Sequence, residues 1–529
     1  MPSRADGVRT EQLVGAIVAG ATDRSSMSDE LHSAARDWAE RRHLDRSRAN
    51  LLRALDWPAG ARVLHLGRGA GALTRYLAEH TGSVLAMEPT SELARIATAW
   101  VGGLDNVRVE LSDPLDPAAG PEFDLVVATG VLEPLAEPDR QLEYLRTLRG
   151  VLRPGGMLCL AVENQFGARN LAGAPQPHSR RRWDAVEGYP FGTAHRAPSR
   201  RALESLLDTA GFTVQRVLGC FPDHQFTNVV LSAELLARYP RLAVDLPRLP
   251  SEDPTVPGPR PVDEARLWKE LVAAGLGADA WNSFLVLAGV PGADPPEPLW
   301  PPDRLATYFN TDRAARWCTG AHVVAVPGGA EVRRRPLLEP GSQDGCPVSI
   351  QPWSDPVHDG PTMVAAIHER PWLAEDLLRA WHDLIRERAG EFGDALWDLL
   401  PRNIVVTADG RLHPIDLEWR LAGTVPDEVV ERGLLLTAEH LASLSWPGAG
   451  SHNTVRDLAG WLGRLLHKDI SYVERAVTRE ARFQTLRWSG GATGEAALEA
   501  QREEIAGAWY RRLDEHVPVS GDTAVKEDG

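Results

Sequence analysis

Lysine is almost missing from this chain of 529 residues. Of its 57 basic residues only Lys269, Lys468 and Lys526 are lysine, and arginine supplies the rest. A GC-rich coding bias is the first explanation, but a chemical consequence follows: a reaction that needs an amine finds almost none. Cysteine is scarce as well. Cys159, Cys220, Cys318 and Cys346 are widely spaced, with no CxxC and no Cys/His cluster. That argues against a disulfide framework and a zinc site, and free thiols in a reducing cytoplasm are expected. No run approaches the roughly 18 apolar residues of a membrane span. The short apolar stretch 13–21 follows Asp6 and Glu11, where a signal peptide would be basic. A cytoplasmic protein without a membrane span is expected. Positive charge is in deficit, the formal net charge being −16. A polyanion is repelled on average, so nucleic acid is not an expected partner, and the basic run Arg180-Arg181-Arg182 does not reverse this.

What is present is a globular composition, 43% hydrophobic and 25% charged, on a chain long enough for two to four domains. Residues 1–56 read as an N-terminal helical segment. From 57 to 238 strands alternate with helices: strands at 62–66, 83–88, 107–111, 123–128 and 157–162, helices at 73–79, 91–101 and 139–152. Such alternation predicts a parallel, doubly wound α/β sheet with helices on both faces. A helix at 199–210, capped by Ser199, leads to two further strand candidates at 212–218 and 226–231. Two proline-rich stretches, 247–261 and 291–302, make 239–302 read as linkers around an amphipathic helix at 262–274. A second α+β domain is expected at 303–516, and a disordered tail at 517–529.

The most informative run is Val63-Leu64-His65-Leu66-Gly67-Arg68-Gly69-Ala70-Gly71-Ala72. A strand, a glycine turn and a helix start let backbone approach a ligand and present free N–H groups to it. The same run also fits a dinucleotide fingerprint or a turn with no ligand. Glu88 ends the next strand, where an acid can take both hydroxyls of a ribose. Asp113 follows the third strand, placed to accept from an adenine amine or to cap its own loop. Leu152-Arg153-Pro154-Gly155-Gly156 turns a helix into a strand.

Taken in order, these segments resemble the class I S-adenosylmethionine-dependent methyltransferases over about 45–235. The resemblance implies a seven-stranded sheet with an antiparallel edge, which the strands after 211 would supply. It implies S-adenosylmethionine as cofactor, with His65, Gly67, Gly69, Gly71, Glu88, Asp113 and Gly130 around it. Residues 129–133 would line the methyl-transfer face. His65 and Arg68 stand where the family usually has an acid and a small residue, which predicts weaker cofactor binding. Residues 161–167, 171–178 and Phe221-Pro222-Asp223 resemble a bacterial subgroup that accompanies sugar-polymer and secondary-metabolite genes, implying a glycan or small-molecule acceptor. A hydroxyl acceptor needs a base within reach, and His178, Glu163 and Glu133 are the candidates, with a loop hydrogen bond as the plain alternative for each. The arginines at 180–182 suit a phosphorylated or carboxylated acceptor, or a solvated surface.

In the second domain Asp398 and Asn403 have the spacing of a kinase catalytic loop, and Asp416 follows a hairpin signal at Asp409-Gly410. This resembles small-molecule kinases of the aminoglycoside phosphotransferase type over about 23 residues. It implies Asp398 as base and Asn403 and Asp416 as magnesium ligands if the domain is active; otherwise no metal is expected. A glycine-rich phosphate loop is missing, and Arg333, Arg334 and Arg335 stand where a lysine-bearing strand belongs. A methyltransferase therefore leads. A bifunctional methyltransferase–kinase and a non-catalytic cofactor-binding scaffold are the alternatives, and the C-terminal domain is expected to bind the acceptor or a protein partner.

Overall fold

The computed structural model describes residues 4–67, 69, 71–113, 115, 122–176, 179–251, 260–292, 297–339, 346–444, 454–490 and 495–515. Two compact units emerge, the first holding residues to Asn310 plus 322–326, the second holding 311–321 and everything from Pro327. The tail expected at 517–529 lies outside the described residues.

The first unit is built on one mixed sheet. Its strands are β1 (Arg62–Leu66), β2 (Ser83–Glu88), β3 (Val107–Leu111), β4 (Phe123–Thr129), β5 (Leu152–Glu163), β6 (Thr213–Phe221), β7 (Val229–Leu231), β8 (Ser283–Gly289) and β9 (Arg304–Asn310). They lie in the order β3-β2-β1-β4-β5-β8-β6-β7-β9. From β3 to β5 every pairing is parallel, with Val63 facing Val84 on one side and Leu125 on the other. Val63, Leu64 and Leu66 are fully buried, as a central strand covered on both faces requires. Each such side chain contributes about 1.5–3 kcal/mol by leaving water.

Helices return the chain between these strands, and their starts follow from local chemistry. The Thr90 hydroxyl accepts from the Leu93 N–H to open Ser91–Trp100. Pro138 opens Pro138–Val151, and Ser199 caps Arg200–Thr209 as its sequence suggests. The N-terminal segment holds the helix Arg4–Gly20 and short helical turns from Asp29 to Arg53. Val14 and Val18 of the first pack with Ile96 and Trp100.

The structure differs from the expected seven-stranded sheet at one edge. The antiparallel strand inside the sheet is β8, which runs between β5 and β6 and opposes both. It comes from 239–302, read above as linkers with helices. The stretch 226–231 supplies only β7, further out, and the compact unit runs past 238 to Asn310. The physical reason is burial: all seven residues of β8 are buried between two strands, so it carries no alternation to flag it. Beside it the helix Glu264–Ala273 forms nearly as expected.

The second unit contains β10 (Thr319–Val326, divided between the units after Ala321), β11 (Gly329–Pro336), β12 (Val348–Ile350), β13 (Trp353–Pro356), β14 (Ile404–Val406), β15 (Leu412–Pro414) and β16 (Trp419–Leu421). Strands β11 and β13 pair antiparallel, as do β12 with β16 and β14 with β15. The last hairpin turns at Asp409-Gly410, with Gly410 at φ +80°. Around them pack the helices Ala374–Phe392, Pro426–Ser443, Val455–Leu465, Tyr472–Ser489 and Glu495–Leu513. Among the described residues no helix is long and apolar enough to cross a membrane.

Candidate functional site

In the first unit the chain passes from β1 through the glycine turn into the helix Ala72–His80. The three glycines there do different work. A Cβ on Gly67 would stand 2.9 Å from the Thr129 hydroxyl and 3.3 Å from His65 Nε2, so the side chains at the ends of β1 and β4 leave room for glycine there. A Cβ on Gly69 would meet nothing closer than 3.8 Å, at Arg48 Nη2. Gly71 has φ +99°, and a Cβ there would lie 2.6 Å from Ala97 Cα and 2.9 Å from Trp100. Gly71 is thus explained by packing against Ser91–Trp100 and Gly67 by packing against Thr129 and His65, whereas Gly69 has open space beside it. Arg68 and Ala70 lie outside the described residues.

His65 is buried, with Nδ1 3.0 Å from the Thr74 hydroxyl and Nε2 without a hydrogen bond among the described residues. Burial first, then the nearby Arg48 charge, lowers its pKa to about 4, so at neutral pH the ring carries no charge. Arg48 is the residue sequence reasoning missed here. It comes from the N-terminal segment, is buried, and donates through Nη1 to the Gln225 carbonyl at 2.6 Å. Its Nε has no hydrogen-bond partner among the described residues. Burial lowers its pKa only to about 10, so it stays a cation. Glu88 is buried at the end of β2, while Asp113 is exposed and accepts the Leu115 N–H at 3.0 Å. Gly130, at φ +63°, follows β4, and a Cβ there would lie 3.3 Å from His224 Nε2.

A second cluster sits at the ends of β4 and β5. Glu133 is buried, accepts the Glu163 N–H through Oε1 at 2.8 Å, and leaves Oε2 without a hydrogen bond among the described residues. Burial raises the Glu133 pKa, His224 and His195 oppose that rise, and the Glu163 charge adds to it. Glu163 goes the other way. Burial alone would raise it, but His195, with Nε2 3.8 Å from Oε2, and the Arg169 charge bring it down to about 2. Two neighbouring carboxyls thus have proton affinities pushed apart, a pattern that separates proton holder from charged partner. His224 stands beside them, its Nδ1 3.2 Å from the Ser283 hydroxyl. His195 and His224 had no motif to announce them. His178, a third candidate base in the sequence, lies outside the described residues.

The loop after β5 is a brace. Asn164 Nδ2 donates to the carbonyls of Asp279 (2.8 Å) and Trp281 (2.7 Å), and Asn282 accepts the Arg169 N–H. These bonds tie the loop to the entry of β8 and hold Glu163 in place. The basic run is largely engaged: the Arg181 guanidinium lies over the Phe191 ring at 3.7 Å, and Arg182 donates to the Gly173 carbonyl at 3.2 Å.

In the second unit, Asp398 is buried at the end of a 3-10 turn, and burial raises its pKa to about 6 despite the Arg432 charge. Asn403 Nδ2 donates to the Asp398 carbonyl at 2.9 Å. Asp416 has φ +57°, and its Oδ1 pairs with Arg334 Nη1 at 2.7 Å. Among the described residues no group of three or more His, Cys, Asp or Glu side chains is arranged to hold a metal.

Comparison with known proteins agrees with the geometry of the first unit. Residues 38–217 match the model of a methyltransferase domain. A ubiquinone biosynthesis O-methyltransferase of Xanthomonas axonopodis pv. citri is 32% identical over 114 residues, which are 21% of this chain and 46% of that protein. A malonyl-[acyl-carrier protein] O-methyltransferase of Enterobacter lignolyticus is 27% identical over 35% of this chain and 68% of its own. The methyltransferase GfsG of Streptomyces halstedii is 34% identical over 22% of this chain and 43% of its own. The chain thus spans about half the length of the first of these relatives. Among solved structures, the N-methyltransferase NodS of Bradyrhizobium japonicum with S-adenosylhomocysteine aligns at TM-score 0.27 and 18% identity, over 40% of this chain and 90% of that one. Residues 38–217 are a methyltransferase domain, and S-adenosylmethionine is its cofactor.

The side chains fit that group. Open space at Gly69 in the glycine turn, a buried guanidinium with an unbonded Nε, and a buried carboxylate ending β2 suit a ligand with a carboxylate at one end and a ribose at the other.

Proposed function

We propose that the chain transfers a methyl group from S-adenosylmethionine to a hydroxyl of a small molecule, of the glycan or secondary-metabolite class. The observation that carries this reading is the pair Glu133 and Glu163 with His195, at the sheet end where the glycine turn lies. The matched relatives named as O-methyltransferases support a hydroxyl acceptor.

When bound, the cofactor supplies a methyl group on a positively charged sulfur. The chain's residues hold and orient. Arg48 takes the carboxylate end, the open space at Gly69 admits the ligand, and Glu88 takes the ribose hydroxyls. Asp113 serves the adenine end, and Gly130 faces the transfer side. A neutral His65 adds no positive charge beside the cofactor's ammonium group. The scaffold alternative also rests on Arg68, which lies outside the described residues.

Transfer to a hydroxyl needs the acceptor proton removed as the new bond forms. An imidazole backed by a carboxylate is the arrangement suited to this, because the carboxylate stabilises the imidazolium. His195 backed by Glu163 is that pair. Glu133, holding its proton more tightly, keeps Glu163 in place through the Glu163 N–H. His178 remains a candidate for a later contact with the acceptor.

The second unit is read as kinase-like and as a binding domain for acceptor or partner. Support comes from Asp398, Asn403, the β14–β15 hairpin and Asp416 following in that order. The four unpaired cysteines support action in the cytoplasm.

Calorimetric titration with S-adenosylhomocysteine tests the reading. Wild-type protein is expected to bind one equivalent. Arg48→Met and Glu88→Ala should each weaken binding about tenfold or more, the loss of a hydrogen-bonded charge partner. A folded wild-type protein that does not bind at millimolar ligand refutes the proposal.

A further inference from the structure

Strand β3 ends the sheet of the first unit on one side. Among the described residues it pairs with β2 alone, and no other backbone hydrogen bond reaches Val107, Val109 or Leu111. The direction of its backbone groups follows from its two ends. The Val84 N–H donates to the Asn106 carbonyl at 2.9 Å, and the Ser112 N–H donates to the Glu88 carbonyl at 3.1 Å. Successive residues of a strand turn these groups to opposite sides, so Asn106, Arg108, Glu110 and Ser112 face β2. The N–H and C=O groups of Val107, Val109 and Leu111 therefore point away from the sheet.

An edge of this kind is a template for another strand unless proline, lysine, a bulge or a covering element blocks it. The run Val107-Arg108-Val109-Glu110-Leu111 has no proline and no lysine, and its register with β2 runs without a shift. Val107 and Val109 are half-buried on one face, packed against the cluster that holds Ile96 and Trp100. Leu111, on the same face, is left 61% exposed. Arg108 and Glu110 lie on the opposite face, reach solvent, and pair with each other at 2.7 Å.

The charges select the strand that fits. Laid antiparallel on a copy of itself about Val109, β3 sets Val107 opposite Leu111 and Arg108 opposite Glu110 across the two-fold axis. The outward groups of Val107, Val109 and Leu111 then meet one another as hydrogen-bonded pairs. The charged residues fall at the positions between, where side chains approach most closely. Centring the pair on Arg108 or on Glu110 instead sets like charges opposite each other, which is unfavourable. We propose that the β3 edge is a docking surface for a second copy of this chain, the two strands joining antiparallel about Val109. Five residues a side make a small contact, so the association is reversible.

Sedimentation equilibrium of the full chain over about 1 to 200 µM tests this. The wild type should dimerise within that range. Arg108→Glu and Glu110→Arg each set like charges opposite at both ends of the pair, and each should weaken dimerisation about tenfold or more. Mixed together, the two variants should associate about as tightly as wild type, because each strand again meets the opposite charge. Both variants lack the pair within the chain, so recovery on mixing comes only from pairing between chains. A wild type that stays monomeric leaves the edge to some other strand and overturns the proposal. A dimer that neither reversal weakens overturns it, and so does a mixture that stays monomeric. Hydrogen exchange of the wild type needs no variant: peptides over 107–111 should exchange more slowly as concentration rises, and unchanged exchange overturns the proposal.

Discussion

Acid should weaken the first unit through His65 in a calculable way. The ring is 1% exposed, and burial with the Arg48 charge takes its pKa from 6.5 to about 4. A histidine buried neutral must remain unprotonated in the fold, whereas the unfolded chain takes up the proton near pH 6.5. Between those values the unfolded state binds more protons, so stability is full above about pH 6.5 and falls as pH drops toward about 4. At about 1.36 kcal/mol per pKa unit the loss saturates near about 3.4 kcal/mol, and roughly 2 kcal/mol of it falls between about pH 7 and 5. His65→Asn keeps an amide within reach of Thr74 and removes the titration. Urea unfolding read by pulsed hydrogen exchange at β1 peptides isolates this unit. The wild type should lose about 2 kcal/mol more than His65→Asn on moving from about pH 7 to 5. Equal losses in the two proteins would refute the neutral buried ring, and with it the account of how the glycine turn tolerates histidine.

Two further outcomes follow from packing and charge. Gly71→Ala meets both a positive φ and the Ala97 backbone at 2.6 Å, so it should destabilise the first unit by about 2–3 kcal/mol in chemical denaturation; a loss under about 0.5 kcal/mol would show that Gly71 serves the ligand rather than the fold. In the second unit Arg432 Nε and Glu480 Oε2 pair at 2.6 Å with both side chains 1% exposed. Glu480→Leu alone should cost about 3–5 kcal/mol, and adding Arg432→Met should recover most of it, because an unpaired buried charge is what is expensive.

The parallel half of the first unit was legible because its signals are local. A buried strand, a glycine turn and a capped helix each need only a few consecutive residues, and the pattern from 62 to 163 repeats them. Strand β8 was hidden by the same physics that stabilises it. Ser283–Gly289 is buried on both faces and followed by the proline-rich stretch from Pro291, and a short apolar run of that kind does not declare itself by alternation. Gly71 was legible as special but not as packing, since its neighbours Ala97 and Trp100 lie on the next helix.

The candidate site divides along the same line, and the division says where its chemistry resides. Gly67, Glu88, Glu133 and Glu163 sit on or just after parallel strands, so strand order alone delivers them to one sheet end. Arg48, His195 and His224 reach that end from an N-terminal turn and from two loops, through bonds that no spacing encodes. Arg48 reaches the Gln225 carbonyl, and His224 meets Ser283 at the start of the hidden strand. A glycine turn, a ribose acid and a sheet need only the repeated local pattern. The histidines depend on what the loops bring, while the brace at Asn164 ties the end of β5 to the residues that lead into β8. Glu163 has its low pKa because His195, Arg169 and His224 stand near it, and none of the three lies on the strand that carries Glu163.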